Sequence, residues 1–410
     1  MDRIKTAIER RLRNEQAGFR KERSCTDQIA TLRIIVEQCI EWRSPLYMCF
    51  IDFEKAFDSV DRSTMWNILS NYDLPRKFIS IIKALYDGFT CQVIHAGTLT
   101  EPLDVRTGVR QGCLLSPILF LMVLDWTTRH AYGGRRRGIQ WGLHQRLEDL
   151  EFADDIVLLS HRHSDMRDKL LALEQCAKKV GLVINIEKTK VMRIHHQSND
   201  PISLDSRQVD EVGEFTYLGS IIDKEGGAHA DICARIKKAQ QAYAILNPVW
   251  RSTAISTNTK LRIFNSNVKA VLLYGAETWR TQKTDIHRLQ VFINRCLRRL
   301  LKIRWQEKIS NSQLWERAKE QPVGLQIKRR KWGWIGHTLR KEDSIAKEAL
   351  DWNPQGKRGR GRPRNTWRRT TMSELQKHGV SWPEAKRMAG ERGRWRTFLK
   401  DLCSIRSEED

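Results

Sequence analysis

The sequence predicts an α+β fold in its first half, with an antiparallel or mixed sheet and helices packed on one face, followed by an all-α second half. Between residues 45 and 222, short apolar runs and helical patterns alternate, but not in the serial order of a parallel sheet. Beyond Gly227 the apolar spacing is helical throughout, and most of the 14 tryptophans lie beyond residue 240. These observations predict two differently built halves.

The composition indicates an intracellular protein with a phosphate-rich partner. Lys and Arg total 72 against 49 Asp and Glu, a net charge of +23. An acidic membrane surface is the alternative partner, but no run approaches the ~20 apolar residues that span a bilayer. The N-terminus has no apolar signal-peptide core, so we expect no secretion and no membrane. The nine cysteines show no CxxC spacing, which predicts reduced thiols and no zinc knuckle.

The first elements can be assigned in order along the chain. After the segment NEQAGFRKERSCTDQI, Thr26 or Asp27 is the expected N-cap of a core-facing helix. The apolar run LYMCFID, residues 46–52, predicts a buried strand that ends in a carboxylate. Helices are then predicted at residues 62–72 and 75–86, and a hairpin within residues 89–107.

Ser116 and Pro117 predict the N-cap and first residue of the next helix. The stretch LEFADDIVLLS, residues 150–160, predicts a strand, a tight acidic turn and a second strand. Gly181 is the expected C-cap of a helix over residues 164–180. Further helical patterns cover residues 231–246, 257–274, 285–303, 312–319 and a small tail at 372–403.

Three carboxylates are the main candidates for chemistry. Asp52 ends one predicted strand, and Asp154 and Asp155 occupy the turn of the acidic hairpin. If the hairpin lies beside the first strand, the three groups meet at one edge of the sheet and require hard divalent cations, for which magnesium is suited. Two such ions could support in-line phosphoryl transfer. The alternative for the acidic pair alone is a solvated turn.

Two further segments could complete such a site. Gln111 and Gly112 precede a helix start and offer donors to a phosphate or sugar. Lys188 could neutralise or protonate a leaving pyrophosphate. The alternatives are an ordinary loop for the first segment and a solvated charge for Lys188.

Five motifs together resemble the successive palm motifs of reverse transcriptases, in the right order. They are FIDFEKAFDSVD (50–61), TGVRQGCLLSPILF (107–120), FADD (152–155), GLVINIEKTKVM (181–192) and FTYLGSII (215–222). The upstream segment NEQAGFRKERSCTDQI and the later LLYGAETW resemble parts of non-LTR (LINE-like) retrotransposon polymerases of the endonuclease-reverse transcriptase type. The resemblance implies a right-hand polymerase, here N-terminally truncated. Its implied parts are partial fingers (1–44), a palm (45–225), a helical thumb-like region (226–305) and a basic, Trp-rich C-terminal helical region (306–410) with a linker at 354–370.

The resemblance also implies roles for individual residues. Asp52 and Asp154 would bridge two Mg²⁺ ions, with Mn²⁺ as the alternative metal, and Asp155 would support them. Lys188 would donate a proton to pyrophosphate. The implied nucleotide-binding residues are Phe53 through its carbonyl, Phe57 as the barrier to a 2′-hydroxyl, Gln111, Gly112, and Ala153 near the primer end. The implied primer grip consists of Tyr217, Leu218 and Gly219.

The C-terminal region adds basic and aromatic candidates. Residues 360–363, Arg-Gly-Arg-Pro, have the form of an AT-hook, and the alternative is a basic linker that binds phosphates without preference. Either interpretation makes nucleic-acid-binding residues of Arg358, Arg360, Arg362 and Arg364. Trp332 and Trp334 could stack on bases or could be buried.

The function implied is an RNA-directed DNA polymerase that uses an RNA template, a DNA primer or target, and deoxynucleotides. We expect it in the nucleus and cytoplasm as a ribonucleoprotein. The chain starts close to the palm, so finger segments are missing, and Arg20 and Arg23 would replace their basic residues only in part. Two alternatives follow: a catalytically inactive nucleic-acid-binding remnant, and an RNA-directed RNA polymerase, which the bulky Phe57 disfavours.

Overall fold

The structure is a computed structural model that describes residues 8–134 and 136–403. Within these ranges the chain forms two compact units. The first unit contains the chain up to Gln28, Trp42–Gly213 and Pro354–Arg358, and the second contains Ile29–Glu41, Glu214–Asn353 and the chain from Gly359. The four-part division inferred from the sequence is finer than these two units and remains a prediction.

A five-stranded sheet forms the centre of the first unit. Its strands are β1 (Leu46–Ile51), β2 (Asp149–Phe152), β3 (Asp155–Ser160), β4 (Lys190–Ile194) and β5 (Asp210–Glu211). Their order is β5-β4-β1-β3-β2, and all pairs are antiparallel except β4 with β5. The prediction of an antiparallel or mixed sheet is therefore confirmed. Every residue of the central strand β1 is buried, which explains why its sequence is a continuous apolar run.

The chain of the first unit also forms helices. Helix α1 (Cys25–Trp42) begins there, but its residues Ile29–Glu41 belong to the second unit. Within the first unit lie a short helical turn at Ala56–Ser59, α2 (Arg62–Asn71), α3 (Arg76–Tyr86), α4 (Ser116–Tyr132) and α5 (His163–Lys179). Helix α5 packs against β1 and β3, and α4 packs against α5. The apolar faces of α2 to α5 join Tyr47, Cys49 and Ile51 of β1 in one core.

Two predicted helix caps are wrong. Helix α1 begins at Cys25, and its start is closed by Ser24, whose hydroxyl accepts from the Asp27 amide at 3.3 Å while the Asp27 carboxylate accepts from the Ser24 amide at 2.9 Å. Ser116 is the first residue of α4 rather than its N-cap, because its side chain is buried beside the Tyr86 hydroxyl. Gly181, by contrast, follows α5 with φ +82°, as predicted for a C-cap.

Short antiparallel ladders complete the first unit. The hairpin predicted within residues 89–107 is present. The ladders pair Thr90–Cys91 with Leu103–Asp104, Ile94–His95 with Thr98–Leu99, Ile139–Gln140 with Arg146–Leu147, and Ser203–Leu204 with Arg207–Gln208.

The second unit is helical apart from one hairpin, β6 (Glu214–Tyr217) and β7 (Ser220–Asp223). Its main helices are α6 (His229–Ile245), α7 (Thr257–Ile263), α8 (Lys283–Leu300), α9 (Asn311–Ala318), α10 (Val323–Leu339), α11 (Trp367–Gln376), α12 (Trp382–Gly390) and α13 (Arg392–Leu402). Shorter helical segments lie at Asn247–Arg251, Ala270–Leu272, Ala276–Thr278, Trp305–Glu307 and Ile345–Ala349, and a π-helix covers Phe264–Lys269. The predicted helix at 257–274 is therefore interrupted by a π segment. None of the helices in the described residues is long and apolar enough to cross a membrane.

Helix α10 and the C-terminal helices pack together in the second unit. Trp332 is fully buried and Trp334 is 8% exposed. The Trp332 indole donates to the Glu374 carboxylate at 2.6 Å, and Lys331 pairs with the same carboxylate at 2.5 Å. The interpretation of these tryptophans as base-stacking residues is therefore wrong, because their rings form the core beneath the predicted helical tail.

Candidate active site

Asp52 lies at the end of β1 beside the start of β3. Ile51 is paired with Ile156, so the next residue along β1 lies next to Asp155. The backbone of Asp52 is held by the amide of Asn185, which donates to its carbonyl at 2.8 Å. Its Oδ1 is shielded from solvent and has no hydrogen-bond partner among residues 8–134 and 136–403, and Lys188 Nζ lies 3.6 Å from it. The strand end therefore presents an unsatisfied carboxylate oxygen with one cation nearby.

The predicted acidic hairpin is present between β2 and β3. Phe152 and Asp155 form the closing pair, so Ala153 and Asp154 are the two turn residues. Ala153 has φ +54°, a left-handed conformation of the kind that two-residue hairpin turns require. Asp154 is thus on the turn itself, whereas Asp155 is the first residue of β3.

The three carboxylates repel one another in the absence of a cation. Burial raises the pKa of Asp154 above its usual range, and the Asp52 charge raises it further. Burial, followed by the charges of Asp154 and Asp52, raises the pKa of Asp155 to about 6. Because the Asp52 charge raises the pKa of both other carboxyls, Asp52, Asp154 and Asp155 form one electrostatic cluster, the carboxylate cluster, which a bound cation would stabilise.

The pKa of Asp155 predicts a pH-dependent effect on stability. A carboxyl with a pKa of about 6 in the folded state and about 3.9 unfolded contributes most stability below pH 4, and the contribution is lost as pH rises through 6. We therefore expect Asp155→Asn to melt a few degrees above the wild type at pH 7 in EDTA, with the difference shrinking towards pH 4. Thermal melts across this pH range, with and without Mg²⁺, measure it. A difference that is independent of pH would contradict the electrostatic account.

The residues of the carboxylate cluster match a hard divalent cation in chemistry and charge. Among residues 8–134 and 136–403, however, no three His, Cys, Asp or Glu side chains are grouped closely enough to hold a metal ion on their own. Magnesium in nucleotide enzymes usually takes one or two carboxylates and completes its shell with substrate phosphates and water. The cluster fits that arrangement rather than a closed protein cage.

A cavity of about 630 Å³ is lined in part by three of the predicted nucleotide-binding residues, Phe57, Gln111 and Gly112. Phe57 is held in place by stacking on Phe120, with ring centres 4.4 Å apart. Gln111 donates to the Asp58 carboxylate at 3.1 Å. The residues that line this cavity are Phe19, Phe57, Arg110, Gln111, Gly112, Cys113, Leu114, Ser116, Pro117 and Ile118.

Phe53 and Ala153 do not line that cavity. The Phe53 side chain is buried, and its backbone forms a bridge with Ile184. Arg110 is an additional cation on the cavity wall, and its guanidinium lies 4.1 Å from the centre of the Phe89 ring. The roles of all these residues towards a nucleotide remain predictions.

Sequence reasoning missed two residues that hold the acidic turn. The side chain of Gln16 is fully buried; its oxygen accepts from the Ala153 amide at 3.0 Å, and its nitrogen donates to the Ala153 carbonyl at 3.3 Å. A Cβ on Gly18 would lie 2.2 Å from the Ala153 nitrogen. Gln16 and Gly18, which we call the turn clamp, therefore fix the turn that carries Asp154. Both residues lie in the segment NEQAGF, which the sequence marks as distinctive. Its spacing along the chain, however, does not reveal that the segment contacts the acidic turn.

A buried ion-pair network lies beneath the same hairpin. Arg13 donates to Asp149 at 2.8 Å and to Glu151 at 2.5 Å, both on β2. Burial raises the pKa of Asp149 to about 6, although the Arg13 charge lowers it in part. A second buried cation, Lys169, pairs with Glu148 at 3.0 Å. The N-terminal segment is thus joined to β2 by charges as well as by the turn clamp.

The expectation that Arg20 substitutes for a triphosphate-binding residue is wrong. Arg20 is 8% exposed, pairs with Glu9 at 2.7 Å and donates to the Gln16 carbonyl at 2.8 Å. Its guanidinium therefore organises the segment that carries the turn clamp. Arg23 is partly exposed, with one guanidinium nitrogen 3.5 Å from the Asn14 side chain.

The predicted primer grip forms the β6–β7 hairpin of the second unit. Leu218 and Gly219 are its two turn residues, with φ +47° and +78°. Tyr274 donates its hydroxyl to the Leu218 carbonyl at 2.8 Å, and Arg235 donates to the Gly219 carbonyl. These two hydrogen bonds hold the turn of the hairpin in place. Its contact with a primer remains a prediction.

The basic linker has no helix or strand over residues 356–366. Arg360, Arg362 and Arg364 are exposed, and Arg358 is partly exposed. Arg368 instead donates to the backbone carbonyls of Ala349 and Trp352, so it belongs to the fold. The role of Arg358, Arg360, Arg362 and Arg364 in nucleic-acid binding remains a prediction.

Comparison with known proteins agrees with these features. Residues 1–222, more than half of the chain, match the family model for reverse transcriptase (RNA-dependent DNA polymerase). Residues 242–274 match a domain of unknown function.

Three relatives illustrate the similarity. A transposon-derived protein of Caenorhabditis elegans is 30% identical over 247 residues, which cover 56% of this chain and 86% of that protein. A probable RNA-directed DNA polymerase from transposon BS of Drosophila melanogaster is 25% identical over 305 residues, covering 70% of this chain and 32% of the relative. A Pol polyprotein from retrotransposable element R2 of Nasonia vitripennis is 27% identical over 222 residues, covering 49% and 21%. The chain thus spans most of the worm protein but a third or less of the two others. It belongs to the reverse transcriptase (RNA-dependent DNA polymerase) family, of the type found in non-LTR retrotransposons.

Proposed function

We propose that this chain acts as an RNA-directed DNA polymerase of a non-LTR retrotransposon, adding deoxynucleotides to a primer 3′-hydroxyl on an RNA template. The observation that carries the proposal is the carboxylate cluster. In it, the charge of Asp52 at the end of β1 raises the pKa of both Asp154 and Asp155. A cluster whose own charges repel at neutral pH is suited to a reaction that brings in divalent cations together with a triphosphate.

Asp52 and Asp154 would hold two Mg²⁺ ions, or Mn²⁺ in their place, and Asp155 would support them. Bound there, the ions would lower the pKa of the attacking hydroxyl and neutralise charge on the phosphates. The solvent-shielded Oδ1 of Asp52, for which the described chain offers no hydrogen-bond partner, supports this assignment. The turn clamp would keep Asp154 in position throughout.

The remaining roles follow from position. Lys188, 3.6 Å from Asp52 and largely exposed, would be free to donate a proton to the leaving pyrophosphate. Gln111 and Gly112 would contact the incoming nucleotide from the cavity wall. Phe57, fixed by its stacking on Phe120, would exclude a 2′-hydroxyl by contact with the sugar. The exposed Arg360, Arg362 and Arg364 and the net charge of +23 would bind template and primer phosphates. We also propose that the protein works as a ribonucleoprotein in the cytoplasm and the nucleus.

Primer extension on an RNA template tests this function. Purified protein should extend a DNA primer with deoxynucleotides when Mg²⁺ is present and should stop when EDTA is added. Ribonucleotides should be poor substrates for the wild type and better ones for Phe57→Ala, whose smaller side chain leaves room for the 2′-hydroxyl. Preference of the wild type for ribonucleotides would instead favour an RNA polymerase. Salt-sensitive RNA binding without extension under Mg²⁺ or Mn²⁺ would favour a nucleic-acid-binding remnant.

A further inference from the structure

A second cavity, lined by polar residues, lies at the opposite end of the five-stranded sheet from the carboxylate cluster. Its volume is about 390 Å³. The residues that line it, which we call the basic cavity, are Ser44, Pro45, Arg136, Gln140, Arg146, His161, Arg162, Asp165 and Gln355. All of them belong to the first unit. Three arginines against one carboxylate give the basic cavity a strong positive potential.

These arginines differ from others in the same unit. Arg13 and Arg129 form ion pairs with the buried Asp149 and Asp125, and Arg137 pairs with Asp168 at 3.4 Å. Within the described part of the chain, Arg136, Arg146 and Arg162 form no ion pair within 4.0 Å. Arg146 donates to a backbone carbonyl at 3.2 Å, and all three residues are exposed. Their charges therefore do not stabilise the fold through pairing and remain available to a ligand.

The other groups around the basic cavity also suit an anion. Arg162 immediately precedes the 17-residue helix α5, whose N-terminus carries the positive end of the helix dipole. Ser44 and Gln355 supply neutral hydrogen-bonding groups, whereas the Gln140 amide nitrogen already donates to the Gly142 and Leu143 carbonyls. His161 Nδ1 lies 2.6 Å from the Pro45 carbonyl, which can only accept, so this ring nitrogen carries the hydrogen. Burial and the Arg146 charge lower the pKa of His161, so its ring is neutral at pH 7 when no anion is present.

The basic cavity is separate from the polymerase site. Pro45 precedes β1 and His161 follows β3, whereas Asp52 follows β1 and Asp155 begins β3. Six strand residues at about 3.3 Å each put roughly 20 Å between the two ends. The three arginines cannot therefore touch the same phosphate as the carboxylate cluster.

We propose that the basic cavity is a phosphate-binding site, which takes either a backbone phosphate of a bound RNA or a free inorganic phosphate. Guanidinium groups bind phosphate oxygens through paired, charge-assisted hydrogen bonds. The cavity volume lies within the range of small-ligand sites. This site goes beyond the proposed polymerase function, and its occupation does not depend on catalysis.

RNA binding provides the first test. We expect the variant Arg136→Gln/Arg146→Gln/Arg162→Gln to bind a 20-nucleotide single-stranded RNA more weakly. Fluorescence anisotropy over a salt series should show a slope of log K against log salt that is smaller by about 2, since each phosphate contact on a single strand contributes about 0.7. Circular dichroism should show unchanged folding, because the three side chains are exposed.

Two matched variants control for general charge. Arg167 is also exposed and lies on α5, but it pairs with Asp168 at 3.5 Å and does not line the cavity, so Arg167→Gln should leave the slope close to that of the wild type. Among the described residues that line the cavity, Asp165 is the only acidic one, so Asp165→Asn should tighten binding. This assay measures RNA binding alone, so its outcome does not depend on whether the chain polymerises.

Inorganic phosphate provides the second test. NMR titration of His161, assigned with His161→Gln, should show its pKa rising when phosphate enters the basic cavity of the wild type but not of the triple variant. A loss of RNA affinity in the triple variant identifies the backbone phosphate as the ligand. A phosphate-dependent His161 shift with unchanged RNA affinity identifies the free anion. If the triple variant matches the wild type in both measurements, the proposal is overturned.

Discussion

Primer extension is expected to fall about 10³-fold when Asp154 is replaced with asparagine. The variant keeps the size of the side chain and the hairpin turn, but it removes one of the charges that would hold the catalytic cations. Metal-assisted charge stabilisation contributes several kcal/mol to phosphoryl transfer, and each 1.4 kcal/mol corresponds to a factor of ten in rate. Single-nucleotide incorporation on an RNA template, measured at saturating Mg²⁺, gives the ratio directly.

Asp73→Asn is the matched control for Asp154→Asn. Its carboxylate is 73% exposed and forms a surface ion pair with Arg11, an interaction that contributes little to stability. We expect extension within about twofold of the wild type for this control. Because burial raises the pKa of Asp154, the asparagine variant should also melt no lower than the wild type in EDTA. Wild-type extension by Asp154→Asn would remove the acidic hairpin from the proposed site.

Gly18→Ala is expected to lower extension by about 10²-fold with a smaller effect on folding. The new methyl group would lie 2.2 Å from the Ala153 nitrogen and 2.8 Å from its Cα, so the turn itself must move. Overpacking of this kind costs about 1–3 kcal/mol of stability, whereas a displacement of about 1 Å at reacting groups costs about 10²-fold in rate. Thermal melts and single-nucleotide incorporation, compared in the same preparation, separate the two effects.

Gly134→Ala tests whether any added methyl group has this effect. A Cβ at Gly134 would meet no atom of the other described residues within 4 Å, and its φ is not left-handed. Its extension and melting temperature should stay close to those of the wild type. If Gly18→Ala lost activity only in proportion to its loss of folded protein, the turn clamp would be a purely structural contact.

The sequence predicted the parts of the site that depend on local pattern. The apolar run before Asp52 and the strand-turn-strand pattern around Asp154 correspond to β1 and to the β2–β3 hairpin, and the register brings them together. The prediction of a continuous helix over 257–274 is wrong in its middle, where the π-helical segment Phe264–Lys269 interrupts the α-helical hydrogen bonds. This segment contains no proline or glycine that would indicate the interruption. Local periodicity cannot distinguish these hydrogen-bonding patterns.

The residues that support the site could not be predicted because their partners are distant in sequence. Arg13 meets Asp149 across 136 positions, and Gln16 meets Ala153 across 137. Charge spacing along the chain contains no signal for such pairs. Burial also changed the interpretation of Arg20 and Trp332, since an arginine or tryptophan in a basic segment looks the same whether it faces solvent or a core.

The separation between Gln16 and Ala153 has a consequence for the synthesis of the protein. During translation at about 5–20 residues per second, the residue that holds the turn leaves the ribosome roughly 7 to 27 seconds before the turn exists, given 137 intervening positions. Throughout that interval the polar side chains of Arg13 and Gln16 have no hairpin to bind. Nascent chains that end before β3 should therefore keep this segment accessible to protease, and its protection should mark the moment at which the acidic turn forms.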